Sequence, residues 1–87
     1  MIEFKYECIE AVDLALSGKW DDAHLIVQEI NTDFAKWIHA VLHKIEGDVH
    51  NSRYWYSRSG LKTFEDYIDS DQELSAIKEE LLSLIHI

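Results

Sequence analysis

The sequence predicts an all-α protein, and three observations carry this prediction. Proline is absent from the 87 residues, and glycine occurs only at positions 18, 47 and 60. Apolar residues between these glycines recur at the three- and four-residue spacing of amphipathic helices, whereas the alternation typical of strands is rare. Because glycine is favoured just past a helix end, the three glycines indicate three helix ends.

Two helices are predicted in the first part of the chain. The first covers residues 3–17, carries Cys8 on its apolar stripe and ends at Gly18. We expect this cysteine to be a small buried apolar residue and not a nucleophile. The second helix covers 20–30 and begins with Trp20, an aromatic residue on its apolar face.

The middle of the chain predicts two further helices with good capping residues. One covers 33–46, follows the candidate N-cap Thr32 and ends at Gly47. The next covers 49–58, and Asp48 can accept hydrogen bonds from the unpaired N–H groups of its first turn.

A short helix over 62–68 and a last helix beginning at Ser70 complete the prediction. The order Ser-Asp-Gln-Glu at the start of the last helix is typical of a capping box, in which Ser70 and Glu73 cap each other's backbone. Leu74 and Ile77 lie on the apolar stripe of this helix.

The chain also contains an internal repeat. A shift of 29 residues places Gly18 on Gly47 and the small residue Ala23 on Ser52, five positions after each glycine. A small residue there lets paired helices approach closely, as in stacked helical hairpins. We therefore expect one domain, organised as a short tetratricopeptide-like solenoid with a hairpin over 3–31, a hairpin over 32–60 and capping helices over 61–87.

Charge excludes some classes of partner. The chain has 8 Lys and Arg against 17 Asp and Glu, with a net charge of −9. Nucleic acids and anionic membrane surfaces select basic proteins, so neither is expected as a partner. The start MIEFKYECIE does not resemble a signal peptide, no apolar run is long enough for a membrane span, and a lone cysteine forms no internal disulfide. These features predict a cytoplasmic location.

A longer pattern resembles a known family. The chain reads Trp-x-x-Ala-His, then His-x-x-x-His-x-x-Glu-Gly-Asp-x-x-Asn, then Tyr-Trp-Tyr, at Trp20, Ala23, His24, His39, His43, Glu46, Gly47, Asp48, Asn51, Tyr54, Trp55 and Tyr56. This pattern is similar to that of a small family of mostly uncharacterised bacterial proteins with a tetratricopeptide-like fold. The resemblance implies a helical-repeat fold and no particular activity. The chain departs from the pattern at Ser52, where the family suggests alanine.

The candidate site lies in the middle hairpin. Residues 32–60 hold three acids and four bases, whereas each flanking segment holds seven acids and two bases. On one helix, His39, His43 and Glu46 share a face at the boundary between core and solvent. The predicted ligand-binding residues are His24, His39, His43, Glu46, Asn51 and Trp55.

Three interpretations of these residues stay open. The first is a binding module that recognises a peptide segment or small ligand through this histidine and aromatic groove. The second is a metal-binding protein or metal-dependent enzyme that uses His24, His39, His43 and Glu46. The third interpretation rests on the last helix instead, which ends in Leu-Ile-His-Ile with little polar cover and so favours self-association, with a second copy as the partner.

Catalytic motifs are missing. The sequence has no HExxH, no CxxC and no phosphate-binding glycine loop. We therefore name no catalytic residue and no cofactor, and the sequence favours a binding protein over an enzyme. If the protein binds a metal, the candidate ligands that lie on one face of a single helix are His39, His43 and Glu46.

Overall fold

The computed structural model describes residues 3–85, and every regular element in that range is helical. The five α-helices are α1 (Lys5–Leu16), α2 (Trp20–Val27), α3 (Asp33–Ile45), α4 (Val49–Ser59) and α5 (Ser70–Ile85). A 3-10 turn, Phe64–Asp66, lies between α4 and α5. The all-α prediction is confirmed. The predicted 61–87 unit also includes residues 86 and 87, which lie outside the described range.

Glycine and N-cap residues set the helix ends as predicted. Gly18, Gly47 and Gly60 all have positive φ, near 80°, 85° and 69°, a conformation that glycine adopts without a Cβ clash. The Thr32 hydroxyl accepts the N–H of the third residue of α3, and the Asp48 carboxylate does the same for α4.

Two predicted helices are longer than the structure shows. The second helix ends at Val27 and not at residue 30, because its last turn tightens into i→i+3 bonds, from Glu29 N to Ile26 O and from Ile30 N to Val27 O. The predicted helix over 62–68 is only the 3-10 turn.

The predicted capping box at the start of the last helix is also wrong. Asp69 caps α5 through its Oδ1, which accepts the N–H groups of Asp71 at 2.8 Å and Gln72 at 3.3 Å. Glu73 points inward and is fully buried.

The core surrounds α3, which packs against all four other helices. Six apolar side chains of α3 are completely buried: Ala35, Trp37, Ile38, Ala40, Val41 and Leu42. Within each predicted hairpin, consecutive helices pack on one another, and α5 covers both α1 and α3. None of the described helices is long and apolar enough to cross a membrane.

The two small residues of the repeat lie where helices come close. Ala23 on α2 and Ser52 on α4 are both fully buried. The Ser52 hydroxyl donates to the backbone carbonyl of Ala40 at 2.7 Å, which satisfies a polar group that burial would otherwise penalise. The serine that departs from the family pattern therefore ties α4 to α3.

Candidate metal centre

Three histidines from two helices converge at the junction of α2 and α3. His24 comes from α2, and His39 and His43 lie one turn apart on α3. One ring nitrogen of each lies within 4.8 Å of the others. The closest pair is Nε2 of His24 and Nε2 of His39, at 3.1 Å.

This spacing is close to that of metal ligands. With Zn–N bonds of about 2.0–2.1 Å, two tetrahedral ligands lie about 3.3 Å apart. The facing nitrogens of His24 and His39, 3.1 Å apart, are close to this separation, and a ring nitrogen of His43 lies within 4.8 Å of both. Because all three residues lie on packed helices, their backbone positions are fixed before any ion binds.

Two tryptophans form walls around the histidines. The Trp20 ring stacks on His24 with centroids 4.8 Å apart, and its Nε1 donates to the Leu42 carbonyl at 2.7 Å. On the other side, Trp55 stacks on His39 with centroids 4.1 Å apart. These contacts limit the rotation of two of the three imidazoles.

A carboxylate orients the third imidazole. Glu46 Oε1 lies 2.5 Å from Nδ1 of His43. When Nδ1 donates this hydrogen bond, the neutral ring carries its lone pair on Nε2. Histidines that bind metals commonly have such a carboxylate partner on the other nitrogen. The structure thus places Glu46 beside a candidate ligand, in the position of an orienting group.

Burial favours the neutral form of two of the imidazoles. His39 is only 6% exposed, and burial, together with the neighbouring His24 and His43, lowers its pKa to about 4. Burial also lowers the pKa of His24, with a further contribution from His43. A neutral imidazole has the free lone pair that a metal ion requires.

Asn51 has a different environment. Its backbone N–H and its side-chain Nδ2 both donate to the Asp48 carboxylate, at 3.2 and 2.7 Å. These two bonds from Asn51 lower the pKa of Asp48. Asp48 also lies near His43 and Glu46, in a second group with metal-ligand spacing, but both of its carboxylate oxygens accept hydrogen bonds from Asn51.

The structure therefore brings five of the six predicted residues into one connected cluster: His24, His39, His43, Glu46 and Trp55. The cluster also includes Trp20, which the sequence analysis assigned to the core. Its position four residues before His24, on the same helix face, is the signal that could have indicated a stacking partner.

No family model, curated protein or solved structure matches the chain.

Proposed function

We propose that the protein binds one divalent transition-metal ion through His24, His39 and His43, with Glu46 holding His43 in position. The observation that carries this proposal is the convergence of three ring nitrogens, including the 3.1 Å approach of His24 Nε2 to His39 Nε2. Two neutral imidazoles share one proton in such a contact, whereas a metal ion uses both lone pairs.

The ligand set favours zinc or a neighbouring metal. Imidazole nitrogens suit Zn²⁺, Cu²⁺, Ni²⁺ and Fe²⁺, while Mg²⁺ and Ca²⁺ prefer oxygen. Three protein nitrogens leave one tetrahedral position for water or an exchangeable ligand. Because the His43 side chain is 12% exposed, solvent can reach this edge of the cluster.

Metal analysis of the purified protein tests the proposal. Protein stripped with a chelator is dialysed against Zn²⁺, Ni²⁺ or Mn²⁺, and bound metal is quantified. We expect one Zn²⁺ or Ni²⁺ per chain and little Mn²⁺, with binding lost in H24Q, H39Q and H43Q.

The matched control is H50Q, because His50 is exposed on α4 and belongs to neither group with metal-ligand spacing. Circular dichroism confirms that each variant is folded. No stoichiometric metal in the wild type, or equal loss in H50Q, would contradict the proposal.

We also propose that the two hairpins stack in the tetratricopeptide-like manner. The equivalent places of Ala23 and Ser52, and the packing of α1 on α2 and of α3 on α4, support this arrangement. A peptide partner, self-association and the cytoplasmic location stay predictions.

A further inference from the structure

A small pocket adjoins the cluster of His24, His39 and His43, and His39 forms part of its wall. Its volume is about 210 Å³, and it lies among α3, α4 and the turn that ends α2. His39 and its stacking partner Trp55 both line it. The pocket is smaller than the roughly 300–1,000 Å³ typical of sites for drug-sized molecules, so its ligand is a small molecule.

Two basic side chains at this pocket have no acidic partner. Lys36 from α3 and Arg58 from α4 both line it, and neither forms an ion pair within 4.0 Å with any of residues 3–85. Lys44, Arg53 and Lys78 are each paired with a carboxylate. Although Lys19 and Lys62 are also without an ion pair to residues 3–85, neither shares a pocket with a second unpaired base. In a chain with a net charge of −9, two unpaired cations at one pocket indicate an anion site.

Two features of the pocket are unfavourable for anion binding: one acidic residue and the C-terminal end of a helix. Glu29 also lines the pocket, and the turn after α2 contributes part of its wall. The C-terminal end of a helix carries a partial negative charge. An anion must therefore contact the ammonium and the guanidinium directly, and we expect both to be needed.

Aromatic rings define the rest of the wall. Tyr54 meets Trp55 edge to face at 5.2 Å, and the Arg58 guanidinium lies over the Tyr54 ring at 5.5 Å. This contact limits the rotation of the Arg58 head group. A planar carboxylate matches the fork of an arginine, and a flat ring matches the aromatic surface beside it.

We infer that this pocket binds a small aromatic carboxylate, with Lys36 and Arg58 holding the carboxylate and Trp55 and Tyr54 contacting the ring. The inference goes beyond metal binding, since none of these four residues is a candidate metal ligand. His39 belongs to both sites, which places the anion next to the proposed metal ion.

The test uses metal-free protein from which the chelator has been removed, so its result does not depend on the metal proposal. Benzoate is titrated at constant ionic strength while the indole N–H resonance of Trp55, assigned with W55F, is followed by NMR. Benzamide serves as the neutral isostere and inorganic phosphate as an anion without a ring.

We expect benzoate to shift the Trp55 resonance, with benzamide and phosphate binding at least about tenfold more weakly, as for the loss of one charged hydrogen bond. K36Q and R58Q should each weaken benzoate binding about tenfold or more. K78Q, which removes the same charge on α5 outside the pocket, should leave it unchanged.

Equal binding of benzoate and benzamide would overturn the inference, and so would tighter binding of phosphate. If K78Q weakened benzoate binding as much as K36Q and R58Q do, the net charge of the protein and not this pocket would explain the binding, and the inference would be wrong. Absence of a saturable shift with benzoate would also overturn it. A protein that binds no metal but binds benzoate as described would disprove the metal proposal alone.

Discussion

Two polar clusters in this small protein differ in the kinds of group that they bring together. Around the fully buried Glu73, Oε2 accepts from Trp37 Nε1 at 2.8 Å and from the Tyr56 hydroxyl at 2.6 Å, and Oε1 accepts from Lys44 Nζ at 3.0 Å. Lys44 donates its two other protons to backbone carbonyls between α4 and α5. Each of these donors has its acceptor.

The histidine cluster, formed by His24, His39 and His43, brings together three groups of one kind. Nε2 of His24 lies 3.1 Å from Nε2 of His39, and a ring nitrogen of His43 lies within 4.8 Å of the other two rings' nitrogens. The Glu73 cluster joins α3, α4 and α5, and burial with the Glu73 hydrogen bond raises the pKa of Tyr56 well above its usual value. In the first cluster a buried carboxylate meets the donors that satisfy it, whereas the second brings together three imidazoles, the type of group that the proposed metal ion requires.

The largest effect is expected from Glu73→Ala. Its loss leaves the ammonium of Lys44, whose side chain is 9% exposed, and two other donors without their acceptor. Removing one partner of a buried ion pair costs about 3–5 kcal/mol, which is comparable to the whole stability of many small domains. Urea denaturation should show a largely unfolded protein or a large loss of stability.

The control for this variant is Glu65→Gln, because Glu65 pairs with Arg53 at the exposed surface. That change should leave the free energy of unfolding nearly unchanged, because solvent screens an exposed ion pair. Similar effects of the two substitutions would remove the distinction between a closed buried cluster and an ordinary surface pair.

The second effect is a pH dependence from His39 in metal-free protein. Its folded pKa, about 4, lies below the ordinary value of 6.5, so the unfolded chain binds a proton that the folded chain does not. This contribution to stability is complete above pH 6.5 and is lost as pH falls from 6.5 to 4. The loss reaches at most about 3 kcal/mol.

Urea denaturation at pH 7 and pH 4.5 measures this loss. His39→Gln should lose less stability over this interval than the wild type, whereas His50→Gln should keep the wild-type difference. An unchanged difference in His39→Gln would show that this imidazole is protonated in the folded protein.

The third effect concerns the orienting carboxylate. Glu46→Gln should weaken zinc binding about 10- to 100-fold, because it removes the charged partner of His43. Competition with a zinc-sensitive dye measures the affinity. Asp48→Asn keeps an N-cap acceptor and should bind zinc as the wild type does. If Asp48→Asn lost zinc binding, the ion would instead be assigned to the other group, formed by His43, Glu46 and Asp48.

The smallest effect is expected from Trp20→Phe. Phenylalanine keeps a ring beside His24 but loses the hydrogen bond to Leu42, at a cost of about 1 kcal/mol. Trp37→Phe removes a bond to the buried Glu73 carboxylate and should cost more, about 1.5–3 kcal/mol. Thermal denaturation of the two variants compares them. An equal loss of stability in the two variants would mean that the two clusters contribute equally to the stability of the fold.

Sequence reasoning predicted most helix ends because they depend on local chemistry. Gly47 needs only a left-handed backbone, and Asp48 needs only N–H groups three residues away. Helical spacing likewise placed His39, His43 and Glu46 on one face. These relations act within one or two turns, where the sequence order determines which groups are neighbours.

The Glu73 cluster could not be predicted in this way. Its donors lie 36, 29 and 17 residues away along the chain, at Trp37, Lys44 and Tyr56. Locally, Glu73 follows a serine by three residues, so the capping-box interpretation was natural. Burial of its carboxylate became possible only because two other helices, α3 and α4, supplied donors, and such tertiary contacts leave no local pattern.

X-ray absorption at the zinc edge of the zinc-loaded protein tests the metal site most directly. We predict nitrogen and oxygen neighbours at about 2.0–2.1 Å, with the scattering of three imidazole rings. A chain that retains no zinc after dialysis, or a spectrum with no more than one imidazole, would contradict the three-histidine centre.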